Sequence, residues 1–138
     1  MGSLYNNRMT RVDEDYLKMA AQASSRAFAV DSEDILTRRR HEPLVFARQT
    51  AYWLIRSGLG FSYTKIGVMF GRDHGNIMHG VKKVREVLEL DLTSSSLDGS
   101  WSDRIRTARE LFKRYHATYV ESDSHKALKE ATDVVYPS

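Results

Sequence analysis

Between Ser62 and Leu88 two apolar patterns of helical period stand almost end to end, and no other feature of the chain limits its fold as sharply. Tyr63, Ile66, Met69 and Phe70 mark a short segment, and Ile77, Val81, Val84 and Leu88 recur at i, i+4, i+7 and i+11 in the next, with Gly71 and Arg72 at the join. Each stripe must be buried against something, and a glycine between them can end one helix and redirect the chain. Ser62 and Asp73 are suited to cap the two helices, because a short oxygen-bearing side chain accepts from the orphan N–H groups of a first turn. The pattern predicts a brief helix, a glycine turn and a longer amphipathic helix with Lys82, Lys83, Arg85 and Glu86 on its other faces.

The remaining segments read the same way. Asp13 is expected to cap a helix running to about Val30, with Tyr16, Met19, Ala20, Ala23, Ala27 and Val30 as its stripe. Asp31, followed by Asp34, opens a short helix through Ile35 and Leu36. Glu42-Pro43 then restarts the chain as a helix over 43–57 that buries Ala47, Ala51, Leu54 and Ile55 and ends at Gly58 and Gly60. No alternating run is long enough for a strand, so the fold class is all-α. The polar run Thr93 to Ser100 reads as a linker; beyond it Ile105, Ala108, Phe112, Tyr115 and Tyr119 form another stripe, with a weaker helix over Ser124 to Val134. The expected division is an N-terminal arm (1–11), a helical domain (12–90), a linker (91–100) and a C-terminal helical extension (101–138). The extension's stripe is expected to pack on the core, with pairing to a second copy or a partner protein as the alternative.

Composition narrows the function classes. There is no cysteine, which excludes disulfides and thiolate metal sites and fits a reducing cytoplasm. No apolar run approaches the length of a membrane span, so no membrane role is expected. His74 and His79 lie five apart on one helix and lack a third ligand nearby, and no carboxylate pair converges; neither a metal, a cofactor nor an enzymatic activity is expected. The net charge of +3 says little, but its distribution says more. From Leu36 to Glu89 ten basic residues face four acidic ones, whereas the remainder holds eleven against fourteen. A basic middle with acidic flanks is the footprint of a segment that meets phosphates.

A short helix, a tight turn and a second helix is the sequence form of a helix-turn-helix, in which the first residues of the second helix meet base edges in the major groove of duplex DNA. Here those residues are Arg72, Asp73, His74, Gly75 and Asn76, all rich in donors and acceptors or small.

The stretch from Ile66 to His74, Ile-Gly-Val-Met-Phe-Gly-Arg-Asp-His, with Ile77 and His79 after it, resembles the signature of the C-terminal DNA-binding domain (domain IV) of the bacterial replication initiator DnaA. The resemblance extends upstream through Ala47-Arg48-Gln49 and Asp34-Ile35-Leu36-Thr37-Arg38-Arg39-Arg40, covering roughly residues 12–89. It implies a helical domain with a helix-turn-helix of the DnaA domain IV or Trp-repressor kind. It also implies sequence-specific binding of double-stranded DNA, in replication or transcription regulation in a bacterium or phage. By that resemblance Arg40, helped by Arg38 and Arg39, would enter a minor groove, which attracts arginine where it is narrow. Arg48 and Arg56 would hold the phosphate backbone, and Asp73 and His74 would touch bases. Ser62, Tyr63, Thr64 and Lys65 on the first helix, and Asn76, His79, Lys82 and Lys83 on the second, complete the candidate DNA-binding set.

Alternatives stay open at several of these positions. Asp73 could serve only as an N-cap, His79 could be a packed and hydrogen-bonded histidine, and three arginines in a row could be a solvated face. Where the family usually has two threonines, or Ser and Thr, after the histidine, this chain has Gly75 and Asn76; a thymine-methyl contact is lost, while Asn76 could pair with adenine. A changed or relaxed target follows, or a protein-interaction module that has kept the fold and lost base reading. No G-x-x-x-x-G-K-[ST] phosphate loop is present, and the segment from Trp101 onward favours a stand-alone relative over a fragment.

Overall fold

The computed structural model describes residues 9–93 and 100–135. Among the described residues there are six helices and no strand: α1 (Arg11–Phe28), α2 (Ser32–Ile35), α3 (Leu44–Leu59), α4 (Tyr63–Phe70), α5 (His74–Thr93) and α6 (Ser100–Val135). The fold is all-α, as the periodicity requires. None of the helices is long and apolar enough to cross a membrane.

Helix α1 starts earlier than expected. Thr10, not Asp13, is its N-cap: Thr10 Oγ1 accepts from the Asp13 N–H at 3.1 Å, and Asp13 Oδ2 accepts from the Thr10 N–H at 3.0 Å. A hydroxyl and a carboxylate three residues apart close both orphan donors reciprocally, so the acid sits inside the first turn rather than before it. The helix ends at Phe28, with Ala29 in the left-handed region at φ 57° and its N–H bonded to the Ser25 carbonyl. Its buried face is Leu17, Ala20, Ala21, Ala23 and Phe28, whereas Tyr16, Met19 and Ala27 lie half-buried along the edge.

Helix α2 is capped by Asp31, which accepts from the Glu33 N–H, as expected. Helix α3 follows a cis Glu42–Pro43 bond and runs to Leu59, two residues beyond the expected Ser57; of the two glycines expected to end it, Gly60, at φ 72°, is the one that does. It is buried nearly all round, through Leu44, Phe46, Ala47, Thr50, Ala51, Tyr52, Trp53, Leu54 and Ile55. A helix apolar on every side belongs at the centre of its domain, and α3 packs against α1, α5, α6, α2 and α4 in turn.

The C-terminal extension is part of this core. Ile105, Ala108 and Phe112 of α6 are buried, and the Trp101 ring stacks edge-on against Phe46 at 4.8 Å and tilts against Phe28 at 5.6 Å. The Phe112 ring lies so near Gly58 that a Cβ there would meet it at 3.1 Å. Polar ties close the edge: Arg26 donates to the Tyr115 hydroxyl at 3.1 Å, and the Tyr119 hydroxyl donates to Asp15 at 3.0 Å. The weaker helix expected from Ser124 continues α6 without a break. Of the expected linker, Thr93 belongs to α5 and Ser100 to α6; residues 94–99, like 1–8 of the expected arm and the tail 136–138, lie outside the described residues.

Candidate nucleic-acid interface

The turn between α4 and α5 is built by two glycines and two caps. Ser62 Oγ accepts from the Lys65 N–H at 3.1 Å and opens α4; Gly71, at φ 66°, closes it by donating to the Val68 carbonyl at 3.3 Å. The next N–H, of Arg72, reaches back to the Gly67 carbonyl at 2.8 Å, folding the chain over α4. That return requires glycine at 67, because a Cβ would overlap the Arg72 carbonyl oxygen. Asp73 Oδ1 then accepts from the Asn76 N–H at 2.8 Å, so its carboxylate does cap α5. Farther along, Gly80 lets α5 approach α3: a Cβ there would come within 2.8 Å of the Tyr52 ring.

The basic loop after α2 is held beside this turn by two reciprocal bonds. Arg38 Nη2 donates to the Gly71 carbonyl at 3.2 Å, and Arg72 Nη2 donates to the Thr37 carbonyl at 3.3 Å. A third support comes from below. Arg48, a residue only 5% exposed, donates from Nε to the Ile35 carbonyl at 2.8 Å and from Nη2 to the carbonyls of Asp34 and Arg39, at 3.2 and 3.1 Å. Arg48 thus fastens α2 and the loop onto α3. Burial pushes its pKa down; the nearby Tyr52 opposes this, and Arg72 and Arg40 add to it. Arg40, Arg48 and Arg72 line one cleft of about 230 Å³ together with Val45, Gln49, Tyr52 and Asn76, with no carboxylate among them.

The candidate residues therefore divide. Arg38, Arg39, Arg40, Asp73, His74, Gly75 and Asn76 are exposed around the junction of loop and helix, with Arg39 also 3.7 Å from the Asp34 carboxylate. Lys82 and Lys83 are exposed farther along α5, and Ser62 and Thr64 are exposed at the start of α4. Arg56 is half-buried, donating to the Phe61 carbonyl at 3.0 Å and lying 4.4 Å over the Tyr63 ring. Lys65 turns the other way: its Nζ is 3.2 Å from the buried Asp13 carboxylate and 4.1 Å from the Phe61 ring centre. It belongs to the packing of α4 on α1. His79 is not a packed histidine; it is exposed, beside Tyr63, Met78, Lys82 and Arg85 around a shallow depression.

Residues 19–84 match the family described as the bacterial dnaA protein helix-turn-helix. That segment is a bacterial DnaA helix-turn-helix. It is 30% identical over 102 residues to the chromosomal replication initiator protein DnaA 1 of Chlamydia trachomatis serovar D, covering 74% of this chain and 21% of that protein. It is 38% identical over 65 residues to the chromosomal replication initiator protein DnaA of Oenococcus oeni, 46% of this chain and 14% of the relative. Over 91 residues it is 32% identical to that of Bacteroides thetaiotaomicron, 65% and 18% respectively. The chain spans about a fifth or less of the length of these relatives.

Within this DnaA helix-turn-helix, three residues that shape the interface carry no charge and escaped a reading built on charge and polarity. Gly67, Gly80 and Tyr52 hold the turn, the helix approach and the floor of the cleft. The two glycines did leave a signal, since a glycine inside a helix costs up to about 1 kcal/mol relative to alanine and so marks a close approach. Gly75 tells a different story. A Cβ there would lie 3.2 Å from the Asp73 carboxylate oxygen that caps the helix, so its bareness leaves the cap undisturbed and the first turn open.

Proposed function

We propose that this DnaA-type domain binds double-stranded DNA in a sequence-dependent way, as part of a replication or regulatory protein. The start of α5 enters the major groove, with Asp73, His74 and Asn76 toward base edges, while Arg38 to Arg40 lie in the adjacent minor groove. The observation that carries this reading is the pair of bonds from Arg38 to Gly71 and from Arg72 to Thr37, which put the basic loop and the helix start on one exposed face. The cleft between them supports it. Three guanidiniums with no carboxylate in the lining repel one another, and phosphate oxygens of a duplex would offset that repulsion. Ser62, Thr64, Lys82 and Lys83 flank the same helices and contribute backbone contacts, which set register without reading sequence. Arg56 and Arg48 act mainly from within, by holding the α3–α4 connection and the loop in place.

Selection of bound sequences from random duplexes, followed by binding measured against salt, tests the proposal. Enrichment of a motif and a falling log affinity with log salt, about 0.9 per phosphate contact, are expected. No enriched motif together with no salt dependence would refute it.

A further inference from the structure

Tyr52 forms the floor of the cleft, and its buried phenolic hydroxyl has no part in the proposed DNA contacts. The residue projects from α3 with 2% of its surface exposed, its ring edge-on to Phe70 at a centroid distance of 4.7 Å. Gly80 of α5 passes so close that any side chain there would collide with the ring. The ring is thereby fixed on two sides, and its hydroxyl reaches the arginine-lined cleft, 3.4 Å from Asn76 Oδ1.

A buried phenolic O–H needs an acceptor. Burial raises the Tyr52 pKa, against the opposing pull of Arg72 and Arg48, so the group stays protonated and donating at neutral pH. Turning the Asn76 amide over would let its NH2 donate to the phenolic oxygen but would leave the phenolic hydrogen without the acceptor it has now. The amide oxygen therefore faces inward. At 3.4 Å the bond is longer than an ordinary O–H···O contact and therefore weak, so it biases the amide toward this orientation without locking it.

We infer that Tyr52 is a specificity-determining residue acting through Asn76: it draws the amide oxygen toward the protein and presents the NH2 as a donor to the major groove. An unrestrained asparagine pairs in two-pronged fashion with adenine, accepting from N6 and donating to N7. An asparagine whose oxygen is turned inward can only donate, and suits the two acceptors of guanine, N7 and O6, or O4 of thymine, whereas adenine offers it N7 alone beside an opposing N6 donor. The base pair beneath Asn76 is read as guanine in preference to adenine. This rests on the DNA-reading proposal and revises the simple expectation that Asn76 pairs with adenine.

The test compares sequences selected from random duplexes by the wild type, Tyr52→Phe, Asn76→Ala and the double variant, with thermal melting of each to verify folding. Tyr52→Phe keeps the ring in its slot and removes only the hydroxyl. It is expected to shift one base pair toward adenine, lowering the guanine preference there by about three- to tenfold, with the salt slope and all other positions unchanged. In the Asn76→Ala background the same change is expected to do nothing. Unaltered preference in Tyr52→Phe, or an equal effect of the change with Asn76 absent, overturns the inference while leaving DNA reading intact; a wild type that enriches no motif overturns both. Should Tyr52→Phe melt early, Asn76→Asp supplies the independent arm, because a carboxylate can accept from Tyr52 and from cytosine N4 but cannot donate; failure to lose the guanine preference would then sink the inference.

Discussion

The two halves of this molecule hold together by different means. Helix α6 is joined to the rest by buried apolar surface, with Ile105, Ala108 and Phe112 inside the core and Trp101 packed against both Phe28 and Phe46, which also meet each other. The loop of Arg38 to Arg40 and the start of α5 bury little; they are placed by hydrogen bonds to carbonyls, by left-handed glycine at 71 and by the bare backbone at 67. Apolar burial gives stability without caring much about angle, whereas directional bonds give placement and little net stability. A surface that must match a duplex needs the second kind of support.

The contrast can be broken most forcefully at Phe112. Phe112→Ala removes a ring that is 4% exposed and is expected to cost about 3–5 kcal/mol of stability by chemical denaturation, while the folded fraction binds DNA as tightly as before. A large loss of affinity per folded molecule would mean that α6 also shapes the interface. Arg40→Ala should do the reverse. Affinity for the selected duplex is expected to fall about tenfold or more with the melting temperature unchanged, as measured by titration at fixed salt.

Lys65 sharpens the comparison, since it is basic, lies on α4 and yet faces α1. Lys65→Ala should alter DNA affinity little but reduce stability by up to about 1 kcal/mol at neutral pH, a small figure because the side chain is 37% exposed. Its pH dependence has a definite sign. Burial raises the Asp13 carboxyl pKa, but the Thr10 N–H, the Lys65 ammonium and the Thr10 hydroxyl together outweigh this and hold it below the ordinary value. A depressed folded pKa gives stability that is present above the unfolded carboxylate value near pH 4 and lost as pH falls through the folded one. The difference between wild type and Lys65→Ala in denaturant midpoint is therefore expected to shrink below about pH 4; a difference that stays constant or grows would show that Asp13 and Lys65 are not coupled.

How much of this the sequence disclosed follows from the same division. The helices and their order were legible because burial imposes period, and Ile77, Val81 and Val84 lie inside as their spacing demands. The apolar stripe of α6 was legible for the same reason, but the period alone left open whether the core or a second copy would cover it. The caps at Ser62 and Asp73 were visible as local chemistry, while that of α1 was missed because Thr10 and Asp13 share the task. The site was legible only as a set of charged and polar residues near one turn. Which of them face outward could not be read from charge: Lys65 and Arg48 spell basic residues, yet one pairs with Asp13 and the other with three carbonyls. Period reports burial on one helix, but the meeting of Arg38 with Gly71 is set by the path of the chain across 33 residues.

The placement of the loop relative to α5 is the claim on which the rest stands, and the absence of cysteine allows it to be measured directly. His41 is exposed next to Arg40, so His41→Cys carries a single thiol to which an iron-chelate cleaving group can be attached. On a selected duplex the tethered group is expected to cut a few nucleotides in the minor groove immediately beside the major-groove segment protected by α5. Cuts a full helical turn or more from that segment, or cuts scattered along the duplex while specific binding persists, would contradict it.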